Sequence, residues 1–429
     1  MSDNIIAKEM KNAPRAAPTV EVVPGGEPIS VISPLKPLSY EEADAKIREG
    51  ADSFSFNVAD DCLGRVDVVS LGTKLPSEDR WDVGVVKGTV GQETLYAGIY
   101  DGHNGIETSE FLRKNLIPYV ANALAGLPTE NDPASVEDAI RKAFVSLDDR
   151  IMGIAETALA AGHPAGTAEV RVAMAPAFAG SCALLLVYEP SSATLRIALA
   201  GDSRAVRAQW SPELDKPLVD VLSKDQTVCN EQEFARIAAA HPGEADDIMD
   251  TASRSLLAMG VTRAFGDHRW KWPAELVMQA RGNCHGPRPL GKSKTPPYMT
   301  ASPEMTTRVV GPRDFVILGS DGLWEAISNE DAVECVSRWV AARRAGTPEM
   351  VAESRESRYD VNEDGSLSRT ARPEDFAIED LDNAAVCLLK NVLGGRHKYM
   401  VAGALTATPP ISRYVRDDIT VQVIFFQAP

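Results

Sequence analysis

The chain has 429 residues, 44% of them hydrophobic, with 44 basic and 61 acidic side chains and a formal net charge of −17. This length and apolar content suit one large domain, or two to three average ones, with a full core. The charge disfavours nucleic acid and anionic membrane as general partners, and no apolar stretch reaches the length of a membrane-spanning helix.

Residues 1–38 are rich in Pro, Ala and Val and predict an extended or disordered arm, followed by a single domain over 39–429. Met1–Lys11 has no signal-peptide core, and Asp3 and Glu9 interrupt the positive charge of a transit peptide. Ser39 is placed to cap a short helix ending near Glu49. Ile106–Leu124 reads as a helix. So does the run opening at Asp132-Pro133, where Val136, Ile140, Phe144, Leu147 and Ile151 recur every three to four residues. Leu184–Tyr188 and Thr194–Leu199 form a predicted hairpin with Pro190 at its turn, and Ala200–Val206 bends tightly through Gly201. Ser328 opens a helix reaching about Arg344, Asp380–Leu393 is the last predicted helix, and Ile419–Phe426 is the final strand. Residues 160–177, 281–300 and 345–378 read as insertions. Blocks of strands and blocks of helices, without a βαβ repeat, give an α+β class.

The six cysteines form no C-x-x-C pair, and Cys182, Cys335 and Cys387 lie in apolar segments, as buried thiols do. A reduced, intracellular protein is the simplest expectation.

Four carboxylate sites sit at the tips of apolar runs: Glu78-Asp79, Asp101, Asp321 and Asp417-Asp418. Each alone also fits a solvated turn or strand edge. Together, carboxylates beside buried strands repel one another and lose hydration, so a neutralising group is needed. Oxygen-seeking Mg²⁺ or Mn²⁺ fits best. In Asp101-Gly102-His103-Asn104-Gly105, Gly102 leaves a backbone carbonyl open to a cation, and His103 can give up a proton near neutral pH.

Ser77-Glu78-Asp79-Arg80, Asp101-Gly102-His103, Gly201-Asp202-Ser203-Arg204-Ala205, Val261–Asp267 and Ser320–Trp324 occur in order, with Arg416–Thr420 at the end. With them the chain resembles the metal-dependent protein serine/threonine phosphatases of the 2C type over about residues 66–427. Leu222–Asp225, Asn230–Glu233, His241-Pro242, Trp270–Trp272 and Thr295–Glu304 make it most similar to the pyruvate dehydrogenase phosphatase-like branch.

The resemblance implies a four-layer α-β-β-α sandwich of two antiparallel sheets with a metal cleft at one edge. It implies two Mg²⁺ or Mn²⁺ ions, Asp101 bridging them, the Gly102 carbonyl on one, and Asp321 and Asp417 completing the set. Glu78 and Asp79 then hold water, and His103 protonates the departing serine or threonine oxygen. Phosphomonoesters of phosphorylated proteins are hydrolysed by a metal-activated water with no covalent intermediate. The protein is expected to act as a monomer, in the mitochondrial matrix if pyruvate dehydrogenase is its substrate and in the cytoplasm otherwise.

Departures from the pattern are specific. Lys74 stands where many relatives carry a phosphate-binding Arg, Asp418 where Asn is usual, and Ala177 near the position of an additional-metal Asp, leaving Asp267 as the candidate for that additional metal. Arg204 and Arg263 are expected in structural salt bridges. Asp360–Gly365 imitates the start of a calcium loop, but Ala371 stands where Glu should close it. The competing readings are a catalytically weak pseudophosphatase serving as a phosphoprotein-binding module, and a calcium-regulated interaction protein.

Overall fold

Apolar, β-branched runs build two antiparallel sheets. The first is ordered Ala51–Ala59, Cys62–Leu71, Ile419–Phe425, Phe315–Gly319, Arg204–Ser211, Lys216–Val221. The second runs Glu304–Val309, Thr194–Ala200, Ala183–Glu189, Glu93–Tyr100, Arg80–Lys87. The structure, a computed structural model, describes residues 36–59, 62–87, 93–128, 132–161, 166–349, 351–354, 360–361, 367–368, 370–409 and 411–429. The arm expected over 1–38 lies outside these residues apart from its last three positions, as do residues 362–365 of the stretch that imitates the start of a calcium loop. Leu38–Pro429 form one unit by their contacts.

The two-residue period of a strand sends alternate side chains to opposite faces. In the last strand, Val421, Val423 and Phe425 face helices while Ile424 faces the other sheet, in one cluster with its neighbour Val66 and with Leu95, Leu184 and Ile197 of that sheet. Helices Tyr40–Glu49, Asn329–Ala345, Ala384–Leu393 and Lys398–Thr406 cover the first sheet through Ile47, Trp339, Leu388 and Val401. Helices Glu107–Ala125, Pro133–Ala160 and Ala168–Phe178 cover the second through Leu112, Phe144 and Met174. The result is the expected α-β-β-α sandwich.

Local chemistry sets the helix starts. The Ser39 side chain accepts the N–H of Glu42, whose carboxylate accepts the N–H of Ser39 in return. Asp132 accepts from Ser135 N–H with Pro133 in the first turn. The helix expected from Asp380 begins only at Ala384, because Asn383 caps it by accepting from Val386 N–H. Asp380 and Asp382 are engaged instead by Arg48. Within the stretch read as an insertion at 160–177, Ala168–Phe178 is a helix, burying Val170, Met174 and Ala177 at helical spacing. Its Ala/Gly/Pro composition hid that pattern. All six cysteines are free thiols, and Cys182, Cys335 and Cys387 are buried as expected.

Candidate metal centre and its cleft

Three strand ends meet at one edge of the sandwich. Glu93–Tyr100 runs into Asp101, Thr194–Ala200 passes through Gly201 to Asp202, and Phe315–Gly319 passes through Ser320 to Asp321. Carboxylate oxygens of Asp101, Asp202 and Asp321 lie within 4.8 Å of one another, and each residue is partly buried. Gly102 is packed so tightly that a Cβ there would lie 2.4 Å from the Glu78 carbonyl and 2.8 Å from Ser109 Oγ.

Such proximity is costly for anions. Burial, then repulsion from Asp321, Asp79 and Asp202, holds the Asp101 carboxyl well above its ordinary range. Burial and the Asp202 charge push Asp321 up to about 8. Burial and the Asp418 charge push Asp79 up to about 7. Asp202 is raised too, by burial first, even though Cys182 Sγ donates to its Oδ1 at 3.3 Å. Asp202 was not assigned a site role from sequence. Its signal was a carboxylate in a Gly-Asp-Ser turn between two apolar strands, which also reads as a plain bend.

Glu78 and Asp79 line the same cleft. Gly105 N–H donates to Glu78 Oε1 at 2.8 Å, and Lys74 pairs with Glu78 Oε2. Thr420 Oγ1 donates to Asp79 Oδ2 at 2.7 Å, while Asp79 Oδ1 is buried with no hydrogen-bond partner among the described residues. Three converging carboxylates with an orphaned buried carboxylate oxygen beside them fit a hard divalent cation and its water. Asp417 is not among the three that converge. Its Oδ1 is paired with Arg413 four residues earlier and accepts Asp418 N–H at 2.7 Å.

Asp418 has a different task. Its Oδ1 accepts from both the N–H and the hydroxyl of Thr73, and its Oδ2 accepts Ser77 Oγ at 2.7 Å and Glu78 N–H at 2.9 Å. Burial alone would raise this carboxyl, but the Thr73 and Ser77 bonds outweigh it and hold the group below its usual range. A backbone N–H faces each oxygen, so an Asn here sets its NH₂ against one of them. Asp418→Asn is expected to lower the free energy of unfolding by about 1–3 kcal/mol, measured by urea denaturation. Because the folded group is the more acidic, Asp418's contribution is complete above the unfolded pKa and disappears as pH falls through the folded one.

His103 Nε2 lies 2.7 Å from Asp267 Oδ2. Gly180 makes room for this pair, since a Cβ there would fall 2.1 Å from Nε2 and 2.3 Å from the carboxylate oxygen. Asp267 follows Gly266, whose N–H donates to Asp148 Oδ1 at 2.9 Å, and Lys271 pairs with Asp148 from the other side. Burial alone would lower the His103 pKa, but the Asp267 charge and hydrogen bond outweigh it and the net shift is upward. Asp267 Oδ1 is a second orphaned buried oxygen. Arg204 pairs with Asp225 at 2.6 Å, and Arg263 bonds both oxygens of Glu233, the structural salt bridges expected.

Comparison with known proteins agrees with this geometry. The family model described as Protein phosphatase 2C matches residues 89–357. A protein phosphatase 2C homolog of Schizosaccharomyces pombe is 35% identical over 376 residues, covering 85% of this chain and 81% of that protein. The mitochondrial [pyruvate dehydrogenase [acetyl-transferring]]-phosphatase 1 of Saccharomyces cerevisiae is 32% identical over 429 residues, covering 91% and 73%. Among solved structures, a serine-threonine phosphatase 2C from Toxoplasma gondii shares the fold, with a TM-score of 0.50 at 15% identity, covering 87% of this chain and 99% of that one. A carboxylate centre at the sandwich edge, on a chain matched by these proteins over most of its length, places it in one family: the chain belongs to the protein phosphatase 2C family and is a protein serine/threonine phosphatase.

Proposed function

We propose that this phosphatase works at the Asp101–Asp202–Asp321 centre with two Mg²⁺ or Mn²⁺ ions, and that pyruvate dehydrogenase is its substrate. The convergence of the three carboxylates within 4.8 Å carries the first part. In this reading Asp101, the Gly102 carbonyl, Asp202 and Asp321 hold the ions, with Asp417 joining them in exchange for Arg413. When bound, the ions supply a nucleophilic water at neutral pH and offset charge on the phosphoryl oxygens. Glu78 and Asp79 orient that water. His103 is tied to Asp267 through Nε2, so Nδ1 is the nitrogen left to deliver a proton to the departing serine or threonine oxygen. Phosphoserine-peptide hydrolysis with Mn²⁺, with and without chelator, tests this: release abolished by chelator is expected, and no release in either arm overturns it.

The substrate reading draws on the 32% identity to the mitochondrial pyruvate dehydrogenase phosphatase of yeast, and mitochondria are the compartment that this reading implies. Phosphoproteomics after loss of the protein should show pyruvate dehydrogenase sites rising most, and unchanged occupancy there overturns the assignment. Lys74 supports phosphate binding by charge alone, without the two-pronged grip of an arginine. Lys74→Met is expected to raise KM for a phosphopeptide about tenfold, as loss of one charged contact does, with kcat within about threefold, in steady-state kinetics.

A further inference from the structure

We infer that a trough beside Asp417 receives an apolar side chain of the substrate protein, a few residues along the chain from the phosphorylated serine or threonine. This rests on the phosphatase centre described above and adds a determinant of which phosphosites it takes. Helix Lys398–Thr406 presents Tyr399 and Met400 to one side of a cavity of about 540 Å³, and Val392, Leu393, Val415 and Ile419 add to its apolar wall. That volume is within the ~300–1,000 Å³ of built ligand clefts. Gly322 and Asp417 also line it, and Gly322 follows Asp321 in the chain, so the trough lies beside the carboxylate centre.

Position names the occupant. A phosphoprotein segment with its phosphate at the three carboxylates has neighbouring residues beside Gly322 and Asp417, and on that side they meet the trough. Tyr399 and Val415 are 42% and 52% exposed, and both converge on one concavity next to the reaction site. Single exposed apolar residues are ordinary, but grouped ones in a cleft mark a binding surface. The wall is preorganised: every residue of helix Ala384–Leu393 is buried, so little order has to be gained on binding. Of the charged groups lining it, Asp417 is paired with Arg413 and the Arg416 guanidinium donates to the Leu71 and Gly72 carbonyls, which leaves the Glu325 carboxylate to disfavour an acidic side chain at the same position. A second apolar groove, bounded by Phe111, Ile154 and Val172, shares no residue with the carboxylate centre, so substrate position gives it no occupant.

The test uses the full chain with Mn²⁺ and phosphoserine peptides that differ only in carrying Leu, Ser or Asp at one position, scanned over three residues on each side of the phosphoserine. At one position Leu should exceed Ser by about tenfold in kcat/KM, the discrimination a small apolar pocket provides, with Asp poorest. Gly403 also lines the trough, and a Cβ there would meet nothing within 4 Å, so Gly403→Leu starts without a backbone clash and places its bulk at the trough. Gly403→Leu and Met400→Glu should each erase the Leu preference, while turnover of p-nitrophenyl phosphate, too small to reach the trough, stays within about twofold of wild type. Absence of a Leu preference at every position overturns the inference, as does a preference that survives Gly403→Leu. Wild-type turnover of p-nitrophenyl phosphate keeps that failure distinct from failure of the catalytic centre itself.

Discussion

Asp101→Asn is expected to abolish Mn²⁺-dependent phosphatase activity, by about 10³-fold or more, while making the metal-free protein more stable. The two effects have one origin. Asp101 stands against Asp202 and Asp321 with oxygens within 4.8 Å, and its carboxyl is held well above its ordinary range by burial and by those neighbours. Loss of a carboxylate on which charge neutralisation depends removes several kcal/mol from the transition state, at about 1.4 kcal/mol per tenfold in rate. The same loss relieves repulsion in the empty centre. The melting temperature in EDTA should therefore rise by about 1–2 °C, a shift of about 1–2 kcal/mol for a domain of this size, and the stabilisation that Mn²⁺ gives wild type should vanish.

The pH dependence of the metal-free wild type follows with a definite sign. Asp79 and Asp321 titrate in the folded protein at about 7 and about 8, above the usual carboxylate range. The folded state thus holds protons that the unfolded chain has released. This contribution is fully present below the unfolded pKa of ~4 and is lost as pH rises through 7 and 8. Melting in EDTA should fall between pH 6 and 9, and saturating Mn²⁺ should flatten the curve. A metal-free protein whose melting temperature climbs over that window would contradict the clustering of these carboxylates.

Much of this centre was readable because its chemistry sits where the strand pattern ends. Asp101 and Asp321 each close an apolar run that can only be a buried strand, and a carboxylate there stands out against its surroundings. Asp202 follows the same rule, but Gly201 and Ser203 give it the look of a turn, and only the fold brings it to the other two. Asp417 was equally visible, yet its partner is Arg413, four residues earlier, a local pairing that competes with any distant site. Helix Ala168–Phe178 escaped because Ala and Pro dilute a pattern of which only Val170, Met174 and Ala177 are buried. The cluster of Ile237, Leu256, Trp270 and Tyr298 draws on four separated segments, and no local period announces a core assembled that way.

His103→Gln should separate substrates by their leaving groups. A departing serine alkoxide needs a proton in the transition state, so kcat for a phosphoserine peptide is expected to fall by about 10²-fold or more, as loss of a positioned general acid does. The phenolate of p-nitrophenyl phosphate leaves without one, so its turnover should fall by less than about tenfold. Asp267→Asn should give the same pattern at reduced size, since an amide keeps a partner at Nε2 but removes the charge that favours the protonated ring. Gly180→Ala forces a Cβ to within 2.1 Å of that nitrogen and should likewise cost more on the peptide than on the aryl ester. The competing role for Asp267, ligation of an additional cation through its orphaned Oδ1, makes a different forecast. Asp267→Asn would then shift the Mn²⁺ concentration needed for half-maximal rate and slow both substrates alike. Equal losses on the two esters therefore assign Asp267 to a cation, and unequal losses at unchanged Mn²⁺ dependence assign it to His103.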